Sequence, residues 1–130
     1  MKIQPDRSEG VNIVTRQEAS AIWVGPRAYA HSVLVPWQGE VQRWEPAEIE
    51  QLRAEHFEQM LALRPELVIF GSGPRHRFAH PALMRSLIEA RIGCETMDTA
   101  AACRTYNVLA SEGRAVLAAL LLSAPPAAAG

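Results

Sequence analysis

The apolar positions of this 130-residue chain change their rhythm near its middle. In the first part they fall in short runs: NIVT at 12–15, AIWV at 21–24, YAHSVLV at 29–35 and EVQRW at 40–44. GPRA at 25–28 separates two of them, and Pro36 and Gly39 interrupt the last pair. Turn formers between runs of β-branched and aromatic residues predict hairpins, hence an antiparallel N-terminal sheet. Pro46 then suits the first position of a helix, and Glu48 and Glu50 suit its positive end. Ile49, Leu52, His56, Met60 and Leu63 trace one stripe before Arg64 and Pro65 end it. His56 on that stripe reads as a packed side chain, because it lacks the convergent partners a metal requires.

From Glu66 onward the pattern becomes β-α-β-α. LVIF at 67–70 is too short and too uniformly apolar for an amphipathic helix, and Gly71 follows at once, which predicts a buried strand. Pro81 opens a helix with Leu83, Met84, Leu87 and Ile88 on its buried face, and Gly93 falls where a left-handed C-terminal cap would stand. CETMD at 94–98 predicts a second strand. Thr99 suits the cap of the next helix, with Ala102, Tyr106 and Leu109 on one face and Gly113 as its stop. RAVLAALLL at 114–122 fits a helix by propensity and a strand by alternation of elements. The β-α-β-α order decides for a third buried strand.

These elements predict an α/β fold bordering on α+β, with N-terminal antiparallel strands followed by a β-α-β-α-β unit. The apolar patterning places one domain at residues 11–122. The polar lead-in, residues 1–10, is expected to be flexible, and the proline-rich tail SAPPAAAG, residues 123–130, to be disordered. Composition agrees with a soluble domain: 48% of residues are hydrophobic and 21% charged. The net charge of −1 gives no general attraction to nucleic acid, so no nucleic-acid partner is expected and any preference for anions must be local. The first residues lack an apolar signal region and no window approaches the length of a spanning helix, which points to the cytoplasm and to no transmembrane segment. Cys94 and Cys103 lack CxxC spacing and are expected to be reduced and structural, with no metal and no cofactor.

Candidate chemistry gathers in LVIFGSGPRHRFAHP, residues 67–81. A strand followed by Gly71, Ser72 and Gly73 resembles the start of a dinucleotide fold, but His76 stands where the third glycine belongs, and no GK[ST] supports a P-loop. Phe70 and Pro74 occupy the glycine positions of a nucleophile elbow centred on Ser72. His76 and His80 have zincin spacing without the glutamate that must follow the first histidine. What remains is an anion or partner site formed by the glycine turn with Arg75, His76 and Arg77. Loops at the carboxyl ends of parallel strands share one edge, so Asp98 and Thr99 should lie near the glycine turn. The plain alternative is that the glycines permit the turn and the basic residues solvate it.

FGSGPRHRF at 70–78 together with CETMDTAAACRTYNVLASEGRAVLAALL at 94–121 resembles the family of the mitochondrial respiratory complex I assembly factor 3, which also contains uncharacterised bacterial and archaeal proteins. The likeness spans residues 11–122. It implies a single three-layer β/β/α domain and supplies no catalytic residues. It also implies a noncatalytic protein-interaction module, assembly-factor-like, with an unidentified protein partner and a place at the periphery of a membrane-associated complex. The alternative is a small-anion or metabolite-binding protein, or an enzyme, using the Gly71 to Arg77 turn.

Overall fold

The computed structural model describes residues 10–123. The expectations for the lead-in and the tail therefore lie outside the described residues, except at Gly10 and Ser123. Strands buried on both faces read as unbroken apolar runs, because alternate side chains enter two different cores. This accounts for β6 (Leu67–Gly71) and β8 (Val116–Leu120), both buried throughout. Leu67, Ile69, Val116, Ala118 and Leu120 enter one core, while Val68, Phe70, Leu117 and Ala119 enter the other. RAVLAALLL thus contains the expected strand.

The two strands lie in a five-stranded sheet of order β5-β4-β8-β6-β7. β4 is Val33–Val35, β5 is Gln42–Arg43 and β7 is Gly93–Met97. β6 is parallel to β7 and to β8, whereas β8 is antiparallel to β4. A second sheet is an antiparallel meander of β1 (Val14–Glu18), β2 (Ala21–Val24) and β3 (Arg27–Tyr29). Its second hairpin pairs Val24 with Arg27 around Gly25-Pro26. Gly25 has φ of 57°, the left-handed geometry that a two-residue hairpin turn asks of a glycine in its first central place.

The meander and α3 (Thr99–Ser111) cover one face of the large sheet. Val14, Ile22 and Val24 meet Ala102 and Tyr106 there, over Ile69 and Ala118. The short helices α1 (Ala54–Glu58) and α2 (Arg85–Glu89) cover the other face. Trp44 is 1% exposed and stands edge-on to Phe57 and Phe70, with centroids 6.0 Å away in each case. The result is one three-layer domain: small sheet, large sheet, short helices.

Several local expectations are corrected. Two of the β-like runs are redrawn: β1 begins only at Val14, within NIVT, and YAHSVLV divides between β3 and β4, which belong to different sheets. The helix expected from Pro46 is broken into a 3-10 turn at Ile49–Gln51, then α1, then a 3-10 turn at Gln59–Leu63. Side chains compete with the helix for backbone donors here. Gln51 Oε1 accepts from the Ala47 and Glu48 amides, and His56 Nδ1 accepts from the Arg53 amide at 2.9 Å. His56 is 4% exposed and packed, edge-on to Trp44.

The helix expected from Pro81 begins as a 3-10 turn, Pro81–Met84, before α2. Leu87 alone fills the inward position of that short helix, and Ile88 is 64% exposed. Gly93 is not a cap. It starts β7, where a Cβ would lie 3.2 Å from Leu67 Cδ1, and Arg91 makes the left-handed turn with φ of 60°.

Candidate functional site

The loops leaving β6 and β7 begin side by side because Gly71 pairs in register with Met97. The Ser72 amide donates to the Met97 carbonyl at 2.8 Å, and the Thr99 amide donates to the Gly73 carbonyl at 2.8 Å. Thr99 Oγ1 accepts from the Gly73 amide at 2.9 Å and donates to the Leu121 carbonyl at 2.8 Å. One hydroxyl therefore ties together the chain segments that follow β6, β7 and β8. The close approach needs glycine: a Cβ on Gly71 would stand 2.9 Å from Thr99 Cα and 3.1 Å from Ala102 Cβ. Gly73, with φ of 105°, adopts a backbone geometry that side-chain-bearing residues avoid.

Asp98, not Thr99, caps α3; its Oδ1 accepts from the Ala101 amide at 2.8 Å. Both types cap well, but the Thr99 hydroxyl is already committed to Gly73 and Leu121. Ser72 is 5% exposed and is equally committed. Its hydroxyl donates to the Arg75 carbonyl at 2.6 Å and accepts from the Arg77 amide at 3.0 Å. The serine folds the loop back on itself. The Ser72, Gly73 and Arg77 amides all have partners within the chain, in contrast to a cradle of outward-pointing donors.

Arg75, His76 and Arg77 are exposed. Arg77 pairs with Glu50 at 2.6 Å, and this hydrogen-bonded contact holds the Glu50 carboxyl below its ordinary range. His76 packs against Phe78, centroids 4.6 Å apart, and Phe78 is 74% exposed. Among the described residues Arg75 has no ion-pair partner. His80 is separated in role from His76: its Nδ1 accepts from the Ala82 amide at 3.1 Å and caps the 3-10 turn. No group of three or more metal-ligating side chains converges among the described residues.

The fold thus brings Gly71, Ser72, Gly73, Asp98 and Thr99 together, and sets the basic trio on the outer side of the same loop. Gly73 and Pro74 border two hollows. One, of about 470 Å³, is bounded by Ala19, Asp98, Ala100, Leu121 and Leu122; the other, of about 150 Å³, by Glu48, Ile49, Arg75 and Arg77.

Periodicity did not reveal the roles of Tyr106 and Asn107. The Tyr106 phenol, fully buried, donates to the Asn12 carbonyl at 2.7 Å and has the Pro36 carbonyl at 3.1 Å; burial pushes its pKa up. Asn107 accepts from the Val14 amide at 2.9 Å and donates to the Val14 carbonyl at 2.8 Å, mimicking a neighbouring strand. These two residues fasten the N-terminal segment onto α3. Their signal was the RTYN segment, visible only through family resemblance.

Fold and site together define a small α/β domain whose strand-end loops are laced by backbone and hydroxyl contacts. The chain belongs to the family described as "Protein of unknown function (DUF498/DUF598)", whose model matches residues 14–121. Over 99 residues it is 34% identical to the Bos taurus NADH dehydrogenase (ubiquinone) 1 alpha subcomplex assembly factor 3, covering 75% of this chain and 53% of that protein. The chain spans about half the length of the curated assembly factors it matches. A crystal structure from Bordetella parapertussis superposes with a TM-score of 0.83 at 34% identity, over 88% of this chain and 98% of that one. A Bordetella pertussis solution structure described as a Mth938-like domain gives 0.80 at 28% identity, over 95% and 94%.

Proposed function

We propose that this protein is a noncatalytic protein-interaction module that assists assembly of a membrane-associated complex. The observation that carries this reading is the one-third identity to assembly factor 3 across three quarters of the chain. The chemistry of the loops supports it. Ser72 and Thr99 spend their hydroxyls on backbone groups, and Asp98 caps a helix, so each of these side chains has a structural task. Arg75, His76 and Phe78, by contrast, stand on a rigidly anchored loop with their side chains in solvent. An exposed aromatic beside an uncommitted arginine has the composition of a protein-binding surface.

The protein would act from the cytoplasm at the periphery of its membrane complex. No helix among the described residues is long and apolar enough to cross a bilayer, in keeping with recruitment through contacts at the membrane edge. Affinity capture under mild conditions tests the reading. A stoichiometric protein partner is expected, with recovery falling for Arg75→Ala and Phe78→Ser. Thermal stabilisation by inorganic phosphate or sulfate, with no protein partner recovered, would establish the small-anion alternative in its place.

A further inference from the structure

The 470 Å³ cleft beside Gly73 and Pro74 has an electrostatic character opposite to that of the basic trio. Among the described residues Asp98 is the only charged one on its lining, and Leu121, Leu122, Ala19 and Ala100 supply apolar wall. One oxygen of Asp98 accepts from the Ala101 amide; the other has no hydrogen-bond partner among the described residues. Gln17, also on the lining, uses its amide nitrogen on the Glu18 carbonyl, leaving its oxygen as a second acceptor. Thr99 adds no donor, since its hydroxyl proton goes to Leu121. The positive end of the α3 dipole amounts to roughly half an elementary charge. The full negative charge of Asp98 exceeds it.

A recess with largely apolar walls, the hydroxyls of Ser20 and Ser123, a carboxylate and spare acceptors, and no cationic lining residue among the described residues, complements an aliphatic chain ending in an ammonium group. The volume lies within the range of about 300 to 1,000 Å³ usual for ligand sites, enough for a lysine side chain and an aliphatic neighbour. We infer that the cleft receives a lysine side chain, flanked by aliphatic residues, from a partner protein, with Asp98 as the counter-charge. This rests on the interaction role proposed above and assigns it a second contact, chemically distinct from the Arg75–Phe78 surface.

Amide NMR titration of the full chain tests the inference with three probes: acetyl-Leu-Lys-Leu-amide, its Gln analogue and its Glu analogue. The Lys peptide is expected to shift the amides of Gly73, Asp98 to Ala100 and Leu121 to Ser123, and to bind about fivefold tighter than the Gln peptide, as a partly solvated charge pair allows. The Glu peptide should bind more weakly still. Asp98→Asn retains a good helix cap, so the fold should survive while the Lys and Gln peptides become equal within about twofold. Hexylamine separates sources: weaker binding than the Lys peptide is expected, and equal binding would indicate a free amine in place of a peptide. Equal binding of Lys and Glu peptides, shifts elsewhere, no shifts at millimolar concentration, or unchanged preference in Asp98→Asn would overturn the inference. None of these readouts depends on capturing a partner, so this idea and the proposed function can fail separately.

Discussion

Gly71 and Thr99 are in contact through their backbones: a methyl group built on Gly71 would lie 2.9 Å from Thr99 Cα. The contact seats the first turn of α3 directly on β6, and only glycine permits it. Gly71→Ala must push α3 away from the sheet, disturbing Ala102 as well. Overpacking of this kind costs about 1 to 3 kcal/mol. Denaturant unfolding should show a lower midpoint with an unchanged slope; a midpoint equal to that of the parent protein would mean that α3 shifts without cost.

Thr99→Val removes the hydroxyl and keeps the shape. The Gly73 amide and the Leu121 carbonyl then lose a buried partner, a loss worth about 1 to 3 kcal/mol. Thr99→Ser restores both bonds and should recover most of the stability. If the Val variant is as stable as the parent and the Ser variant is not, the methyl group matters and the hydroxyl does not.

Asn107→Ala deletes both bonds to Val14, on the outer edge of β1. The small sheet should loosen while the large one holds. Amide hydrogen exchange is expected to accelerate from Val14 to Glu18 and to stay slow in β6 and β8. Uniform acceleration through the domain would show that the two sheets open as one unit.

Both thiols are held protonated. Desolvation, with a smaller contribution from Glu95, pushes Cys94 up to about 12, and desolvation pushes Cys103 up to about 12. Native protein at pH 8 should react with iodoacetamide up to about a thousandfold more slowly than unfolded protein, since the thiolate is the nucleophile and its share falls about tenfold for each unit by which the pKa rises. The unfolded thiols ionise near 9, so between about 9 and 12 the unfolded state binds fewer protons and stability falls as pH rises. Replacing both cysteines with alanine should flatten that decline.

The Glu50 carboxyl owes its lowered pKa first to the hydrogen bond from Arg77. A carboxylate depressed in the folded state contributes stability above its unfolded pKa, and that contribution is lost as pH falls through the folded value. In Arg77→Ala the Glu50 titration, followed by side-chain carbonyl NMR, should move up toward the ordinary carboxylate range. An unmoved titration would mean that the ion pair does not persist in solution. Arg75→Ala, at an exposed position, should change stability by no more than about 0.5 kcal/mol.

Much of the architecture was legible because two-sided burial leaves a plain mark. LVIF and the VLAAL within RAVLAALLL are uniformly apolar since their alternate residues serve different cores, and this marks them as central strands. The meeting of Gly71 to Gly73 with Asp98 and Thr99 followed from the rule that parallel strands align their carboxyl ends. Failures occurred where one side chain overrides a pattern. His56 and Gln51 take backbone donors that a continuous helix would have used, although the stripe from Leu52 to Met60 predicts one. The same periodicity is silent about what a polar atom binds. Asn107 falls off the apolar face of Ala102, Tyr106 and Leu109, and nothing in that pattern shows its tie to a strand 93 positions earlier.

The position of β8 has a consequence for synthesis on the ribosome. β8 is the last strand in the described chain, yet it stands between β4 and β6 and pairs with both. Until it emerges, β4 and β6 each lack the neighbour that joins them, and neither apolar layer can close. The nascent chain must hold these edges unpaired or shielded, then complete both cores in one late step. Quality control would meet an aggregation-prone intermediate up to that moment, and a native sheet after it.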